Sequence, residues 1–329
     1  MYYVNKHDVL SDIWGAPVTV EPDRLTVSGT SYPIIDDVII LLDPAEYPLS
    51  LKAKTVGRRP DPSFPRIAQD VQATFGAEWR RFPRILPEHE REFASYFDLI
   101  DLGALKDRRV CDLGCGNGRW SYFLRHRCRE LILVDFSEAI FIARENLRDT
   151  PNVLFFMADI MRLPFRPNFA DLAVCLGVLH HLPMNALDAA RALRRYAPEL
   201  LVYLYYALDN RPSYFRTLLA LVTAVRRFSS RIQAPAVREV LTWAIALGVY
   251  LPLIGLGHTL RPLGAARWVP LYEVYAGKSL LRIRQDVYDR FFTPIEQRFT
   301  REDILTLRDT FREVIISDSP PYWHFFCRS

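Results

Sequence analysis

Between residues 108 and 206 the chain alternates short apolar runs with longer amphipathic ones, and this restricts the fold more than anything else in its 329 residues. The apolar runs are Arg108–Asp112, Glu130–Asp135, Val153–Ala158, Ala170–Leu176 and Glu199–Tyr206. Between them Arg119–Arg127, Ser137–Leu147 and Asn185–Tyr196 carry a helical period. Strand and helix alternating at this spacing predict a parallel, doubly wound sheet. Helices on both faces of such a sheet would explain why its strands are apolar throughout.

The flanks read differently. Residues 1–60 contain short strands and turns, with Val38–Leu42 the most apolar, and form a small β module. The Pro-rich, charged stretch 58–65 is a linker, and 61–107 adds helices at Arg66–Phe75 and Glu88–Ile100. Residues 207–299 interrupt the alternation, and 300–329 returns to a helix (Arg301–Phe311) and two strands. Five cysteines are too few for a disulfide scaffold and are expected reduced, in a cytoplasmic chain. The N-terminus lacks the pattern of a signal peptide. With 42 basic against 38 acidic residues, net charge alone predicts no nucleic-acid partner.

The sharpest motif is VCDLGCGNGRW, residues 110–120, where a strand runs into Gly114, Gly116 and Gly118 and a helix follows. Glycines allow a tight turn and a close ligand approach at the positive end of that helix. Asp112 suits a cationic or amine-bearing ligand better than a pyrophosphate, which it would repel. Asp135, 17 residues after Gly118, ends the second run and can accept both hydroxyls of a ribose. Asp159 ends the third run and can take an adenine amino group between the apolar walls of Phe136 and Ile160. Open α/β sheets place ligands at such strand ends. Each acid could instead cap a turn or helix; their succession beside the glycine loop favours the ligand.

These segments, with LILVDFS, NVLFFMADIMRLPF and FADLAVCLGVLHHLP, resemble the successive motifs of class I S-adenosylmethionine-dependent methyltransferases over about Arg108 to Tyr206. The resemblance implies an α/β, Rossmann-like, seven-stranded sheet ending in an antiparallel hairpin, and S-adenosylmethionine as cofactor. It places Asp112, Gly114, Gly116, Gly118 and the intervening Asn117 at the methionine part, Asp135 at the ribose, and Asp159 with Ile160 at the adenine. Leu176 and Gly177 would lie beside the transferred methyl. The N-terminal piece 14–42 is similar to the zinc-ribbon-like module before some methyltransferase domains, in degenerate form: zinc needs about four Cys or His ligands, and only His7 precedes Cys111. ATFGAEWRRF (73–82) and the tail 287–317 resemble flanks of the same group, with Trp79 and Phe82 placed to close over the cofactor.

Methyl transfer requires aligned partners and, for many acceptors, removal of a proton. His180 and His181, just past the fourth strand, are the leading bases, since neutral imidazole is available near pH 7. Tyr205, Tyr206, Tyr288 and Asp289 are weaker candidates. No spacing of His, Asp and Glu suggests a metal site. SPPY (319–322) matches a loop of amino-group methylases but stands between the last two strands, so it is read as a turn.

Residues 210–270 hold eight Arg, one Glu, no Asp and no Lys, and Val240–Leu260 is 21 residues without a formal charge. That length could cross a bilayer, at about 31 Å. A single crossing would, however, separate 300–327 from the sheet they should complete, and Pro252 with Gly248, Gly255 and Gly257 argues against one continuous helix. A helical cap or lid, a homodimer contact and a monotopic, peripheral membrane contact are the readings left. The expectation is a methyltransferase acting on a small or lipid-linked, partly hydrophobic acceptor, with O-methylation preferred. An RNA or protein methyltransferase docking through the arginine face, and a non-catalytic partner of the same fold, are the alternatives.

Overall fold

The computed structural model describes residues 2–55, 65–232 and 234–329. The expected linker 58–65 lies outside these, Pro65 apart. Eleven strands form one sheet: β1 (Val18–Val20), β2 (Arg24–Val27), β3 (Thr30–Ile35), β4 (Val38–Ile40), β5 (Arg109–Leu113), β6 (Glu130–Asp135), β7 (Val153–Met157), β8 (Leu172–Leu176), β9 (Glu199–Tyr203), β10 (Glu313–Ile316) and β11 (His324–Arg328). Their order is β1-β2-β3-β4-β7-β6-β5-β8-β9-β11-β10. The stretch from β7 to β10 is the expected seven-stranded core, five parallel strands closed by an antiparallel hairpin.

The N-terminal strands depart from the expectation of a separate module. β1 to β4 pair antiparallel, and β4 then pairs parallel to β7, with Ile39 opposite Phe156, so they continue the core sheet. The cause is local: Val38, Ile39 and Ile40 are all fully buried, as a strand covered on both faces must be. Tyr3 reinforces the join. Its hydroxyl donates to the Asp37 carbonyl at 2.8 Å and accepts from the Phe155 amide at 3.2 Å.

Both faces of the central strands are apolar and covered. On one, Ile132, Val134, Leu154 and Phe156 pack with Leu10 and Trp14 of α1 (His7–Trp14). Helix α2 (Leu49–Thr55) follows the N-terminal strands, and α3 (Arg66–Arg81) comes next in the chain. On the opposite face Leu131, Leu133, Phe155 and Met157 meet α4 (Glu88–Tyr96), α5 (Arg119–Leu124) and α6 (Ala139–Asn146). Helix α7 (Ala186–Leu193) covers the first face; Asn185 caps it by accepting from the Leu187 amide at 2.8 Å. Each fully buried Phe or Leu here contributes about 1.5–3 kcal/mol.

The excursion after β9 is all helical: α8 (Ser213–Ser229), α9 (Pro235–Ile245), α10 (Leu251–Leu260), α11 (Tyr272–Tyr275) and α12 (Leu280–Phe292). The expectation that Pro252 and the glycines would break this stretch does not hold. A wider, π-helical turn at Ala246–Tyr250 joins α9 to α10. A proline ring crowds the carbonyl four residues back, here that of Gly248, and a wider turn relieves the crowding without ending the helix. Gly257 is needed for close approach, because a Cβ there would stand 2.0 Å from the Tyr272 ring. The cap has its own apolar centre of Phe82, Ala246, Tyr250, Ile254, Ile283, Val287 and Phe292.

The two stems of this excursion meet. The Phe299 amide donates to the Tyr205 carbonyl at 2.9 Å, and the Ala207 amide donates to the Phe299 carbonyl at 2.8 Å. Beyond them α13 (Arg301–Leu305) starts in a capping box between Thr300 and Asp303 and tightens into a 3₁₀ turn at Thr306–Asp309, so the helix expected to Phe311 ends early.

Candidate active site

The C-terminal ends of β5, β6, β7 and β8 lie side by side, and strand order reverses between β5 and β8, the place where open α/β sheets hold ligands. A single cavity of about 640 Å³ opens there and runs on beneath the cap. Of the expected cofactor residues, Gly114, Asp135, Phe136, Asp159, Ile160, Leu176 and Gly177 line it.

Asp135 is held at the β6 tip by three hydrogen bonds. One carboxylate oxygen accepts from the Gly116 amide at 2.9 Å, and the other accepts from the amide and hydroxyl of Ser137 at 2.8 and 2.7 Å. Burial pushes its carboxyl up, while the Ser137 and Gly116 donors hold it down. A carboxylate offers about four lone pairs, so acceptor capacity remains on the cavity side. Asp159 accepts from the Met161 amide at 2.9 Å and from Arg162 at 2.8 Å, and it also borders the cavity.

Asp112, Gly116, Asn117 and Gly118 do not line the cavity; they build the loop behind it. Asp112 is buried and accepts from the Ser121 hydroxyl at 2.6 Å. Burial raises its carboxyl to about 7. Asn117 donates to the Phe82 and Pro83 carbonyls at 3.3 and 3.4 Å, fixing the chain after α3. Gly116, at φ +56°, is covered by Trp79, whose ring would sit 2.6 Å from a Cβ. Trp79 also lines the cavity, so the ring expected to close over the site packs on the glycine loop and faces the ligand space at once.

The two histidines separate. His180 is fully buried, stacks on Tyr205 at 4.0 Å, has no partner on either ring nitrogen, and does not reach the cavity. Burial drives it well below its ordinary range, so it is neutral. His181 does reach the cavity. Its Nδ1 lies 2.7 Å from the Ile295 carbonyl, which assigns the proton to Nδ1 and leaves Nε2 as acceptor, 3.7 Å from Asp289. Asp289 also accepts from the Tyr205 hydroxyl and, at 2.9 Å, from Thr293. Thus β8, β9 and α12 bring three of the sequence candidates into one polar cluster.

Other wall residues were not foreseen. Glu78 and Arg119 both face the cavity, and Glu78 Oε2 and Arg119 Nη1 are buried without a partner. Arg119 lies over the rings of Trp79 and Trp120, at 5.1 and 4.5 Å. Burial, and Asp289 after it, pushes the Glu78 carboxyl well up. The usable signal was the helical spacing of Ala68, Val71, Gln72, Phe75, Glu78 and Trp79, which forms the cavity face of α3. On the cap side, Glu92 binds Lys278 at 2.8 Å and Arg282 at 3.2 Å, and these cations, against burial, draw it to about 2. Pro320, Pro321 and Tyr322 of the SPPY turn complete the wall.

Residues 110–198 match the family model for a methyltransferase domain. The chain is 27% identical over 122 residues to a tRNA U34 carboxymethyltransferase of Trichodesmium erythraeum, covering 36% of this chain and 33% of that protein. It therefore spans about a third of the length of the curated relative it matches. Among solved structures, magnesium protoporphyrin IX methyltransferase of Synechocystis is 15% identical, with 82% of this chain and 90% of that chain covered, at a TM-score of 0.37. Geranyl diphosphate C-methyltransferase of Streptomyces coelicolor is 14% identical, with 49% and 73% covered, also at 0.37. The 110–198 span is thus similar to a methyltransferase domain. The residues present fit S-adenosylmethionine: acids at two strand ends beside an apolar wall, and the unpartnered Glu78 Oε2 and Arg119 Nη1, polar groups of the kind that meet an amino acid's ammonium and carboxylate.

Proposed function

We propose that this chain is a class I, S-adenosylmethionine-dependent methyltransferase whose acceptor is a small or lipid-linked, partly hydrophobic molecule methylated on oxygen. The observation that carries this is the continuity of the cavity, from Gly114, Asp135 and Asp159 to His181, Tyr205 and Asp289 under a helical cap. The bound cofactor supplies an electrophilic methyl group. The protein aligns the acceptor, excludes water with α3, α11 and α12, and takes up the acceptor proton.

His181 Nε2 is the proton acceptor. The Ile295 carbonyl fixes its tautomer, and the Asp289 carboxylate at 3.7 Å stabilises the imidazolium that forms. Val71, Phe75, Leu182 and Tyr206 supply apolar wall, while Arg282 and Arg290 supply charge at the cap end. This mixture suits an amphipathic acceptor. A polynucleotide acceptor is the second reading, supported by the name of the curated relative and by exposed Arg216, Arg227 and Arg231. In that case the methylated base would have to leave its stack to enter the cavity.

The test measures transfer of labelled methyl from S-adenosylmethionine to hydroxylated quinone-like, polyketide-like and glycolipid acceptors and to tRNA. Turnover of the first group with His181→Ala reduced about 100- to 1,000-fold in kcat, and cofactor affinity within about threefold, is expected. Labelling of tRNA alone would overturn the acceptor assignment, and unchanged kcat would overturn the base.

A further inference from the structure

The cap displays an apolar surface that its own fold does not use. In α8, Phe215, Arg226 and Ser229 are buried, whereas Tyr214, Leu218, Leu221, Val225 and Phe228 are 39–73% exposed. Their spacing of three or four residues places them in one stripe. The α9–α10 path repeats this. Its Arg238, Thr242, Ala246, Tyr250, Ile254 and Gly257 face the protein, and Val240, Trp243, Leu247 and Leu256 face outward, 36–66% exposed. The stretch Pro235–Leu263 has a mean hydropathy of 1.9 in its most apolar window, of which 28% is buried.

The two helical paths are neighbours at both ends. A short connection, 230–234, joins the C-terminus of α8 to α9, and the Tyr214 hydroxyl donates to the Trp268 carbonyl just beyond α10. Helices α8 and α9 both pack on α12, so the two paths run in opposite directions over one support. The charge around this pair has one sign. Arg227 and Arg231 are exposed at one end, Arg216, Arg261 and Arg267 at the other, and none of these five forms an ion pair among the described residues. The acids at its edge are taken: Glu239 is bound by Arg81 and Arg284, and Glu273 by Arg211.

We propose that the α8–α10 face of the cap is a monotopic docking surface for an anionic lipid bilayer. Exposed leucine, valine, phenylalanine and tryptophan between arginines at both ends is the composition of a helix pair lying in the interface plane. The arginines select negative headgroups, and their free guanidinium groups distinguish a lipid surface from a dry dimer contact. Crossing the bilayer is not open to this pair. The inner faces of α9 and α10 are committed to the cap's apolar centre, and Arg238 on that face donates to the Tyr288 hydroxyl at 3.0 Å. Docking also brings lipid beside α11, which packs against α10 through Gly257 and contributes Glu273, Val274 and Tyr275 to the cavity wall. An amphipathic acceptor could then enter from the membrane plane.

The test is flotation of the full chain with vesicles of phosphatidylcholine alone and with about one-third phosphatidylglycerol, read together with Trp243 and Trp268 fluorescence; no cofactor or acceptor is needed. Binding to the anionic vesicles, a blue shift, and release by high salt are expected. Leu221→Asp with Phe228→Asp should abolish flotation. Arg227→Gln with Arg231→Gln should weaken it about fivefold per residue removed, with the thermal unfolding of each variant checked. Equal binding to neutral vesicles, retention after carbonate extraction, or a lipid-independent dimer broken by the same aspartates would each overturn the proposal.

Discussion

In the sheet, Val134, Phe155 and Phe156 are wholly buried, and Arg109 is the one buried arginine, locked onto Asp12 and Glu130. In the cap, Arg226, Arg238 and Arg282 are buried while Leu221, Phe228 and Val240 are more than 60% exposed. The sheet is arranged for its own stability. The cap spends part of its apolar surface facing outward and places charge within, where Arg282, Lys278, Glu92 and Asp286 border the ligand cavity. Such an inversion marks a region whose composition answers to ligand and surroundings as much as to folding.

The comparison breaks most readily in the sheet. Phe156→Ala should cost about 3–5 kcal/mol in denaturant unfolding, the range for emptying a packed aromatic site. A loss below about 1 kcal/mol would mean that the sheet is no tighter than the cap. Asp112 comes next. Burial raises it in the folded state, so the folded chain holds that proton more tightly than the unfolded chain does. Stability from this group is complete below the unfolded carboxylate range and is lost as pH rises towards about 7. Asp112→Asn should therefore be the more stable protein at pH 8, by at most about 4 kcal/mol, and should converge on the parent near pH 4.

Asp135→Ala should lower S-adenosylmethionine affinity about a hundredfold by calorimetry, near 3 kcal/mol, through the loss of charge-assisted hydrogen bonds. Because Asp135 also holds the Gly116 amide, Asp135→Asn should recover folding stability but only part of the affinity. The smallest effect belongs to the cap: Phe228→Ser, 73% exposed, should change unfolding by no more than about 0.5 kcal/mol. A clear loss there would place Phe228 in a packed interface.

The sheet's strands were legible because both of their faces are buried, so each appears as an unbroken apolar run; Glu130–Asp135 was bounded to the residue. Asp135 and Asp159 were legible because they sit where such runs stop. The sheet's extent was not. Nothing in the run Val38 to Leu42 says that β4 will pair with β7, more than 110 residues later, and not close a unit of its own. The acceptor side was legible only in pieces. His181 was visible in the LHHLP turn, but its equality with His180 breaks only when β9 sets Tyr205 over one ring and α12 sets Asp289 beside the other. Glu78 and Arg119 lay within a helical pattern and a glycine motif that gave no hint of their missing partners.

The stems of the excursion meet in hydrogen bonds between Tyr205, Ala207 and Phe299, and β11 pairs with β9 directly beside that junction. The chain thus leaves the sheet and returns to it at almost one point. Everything between can be shortened, lengthened or replaced without shifting the register of a single strand. Evolution can therefore remodel that cassette while the sheet beneath it is inherited intact.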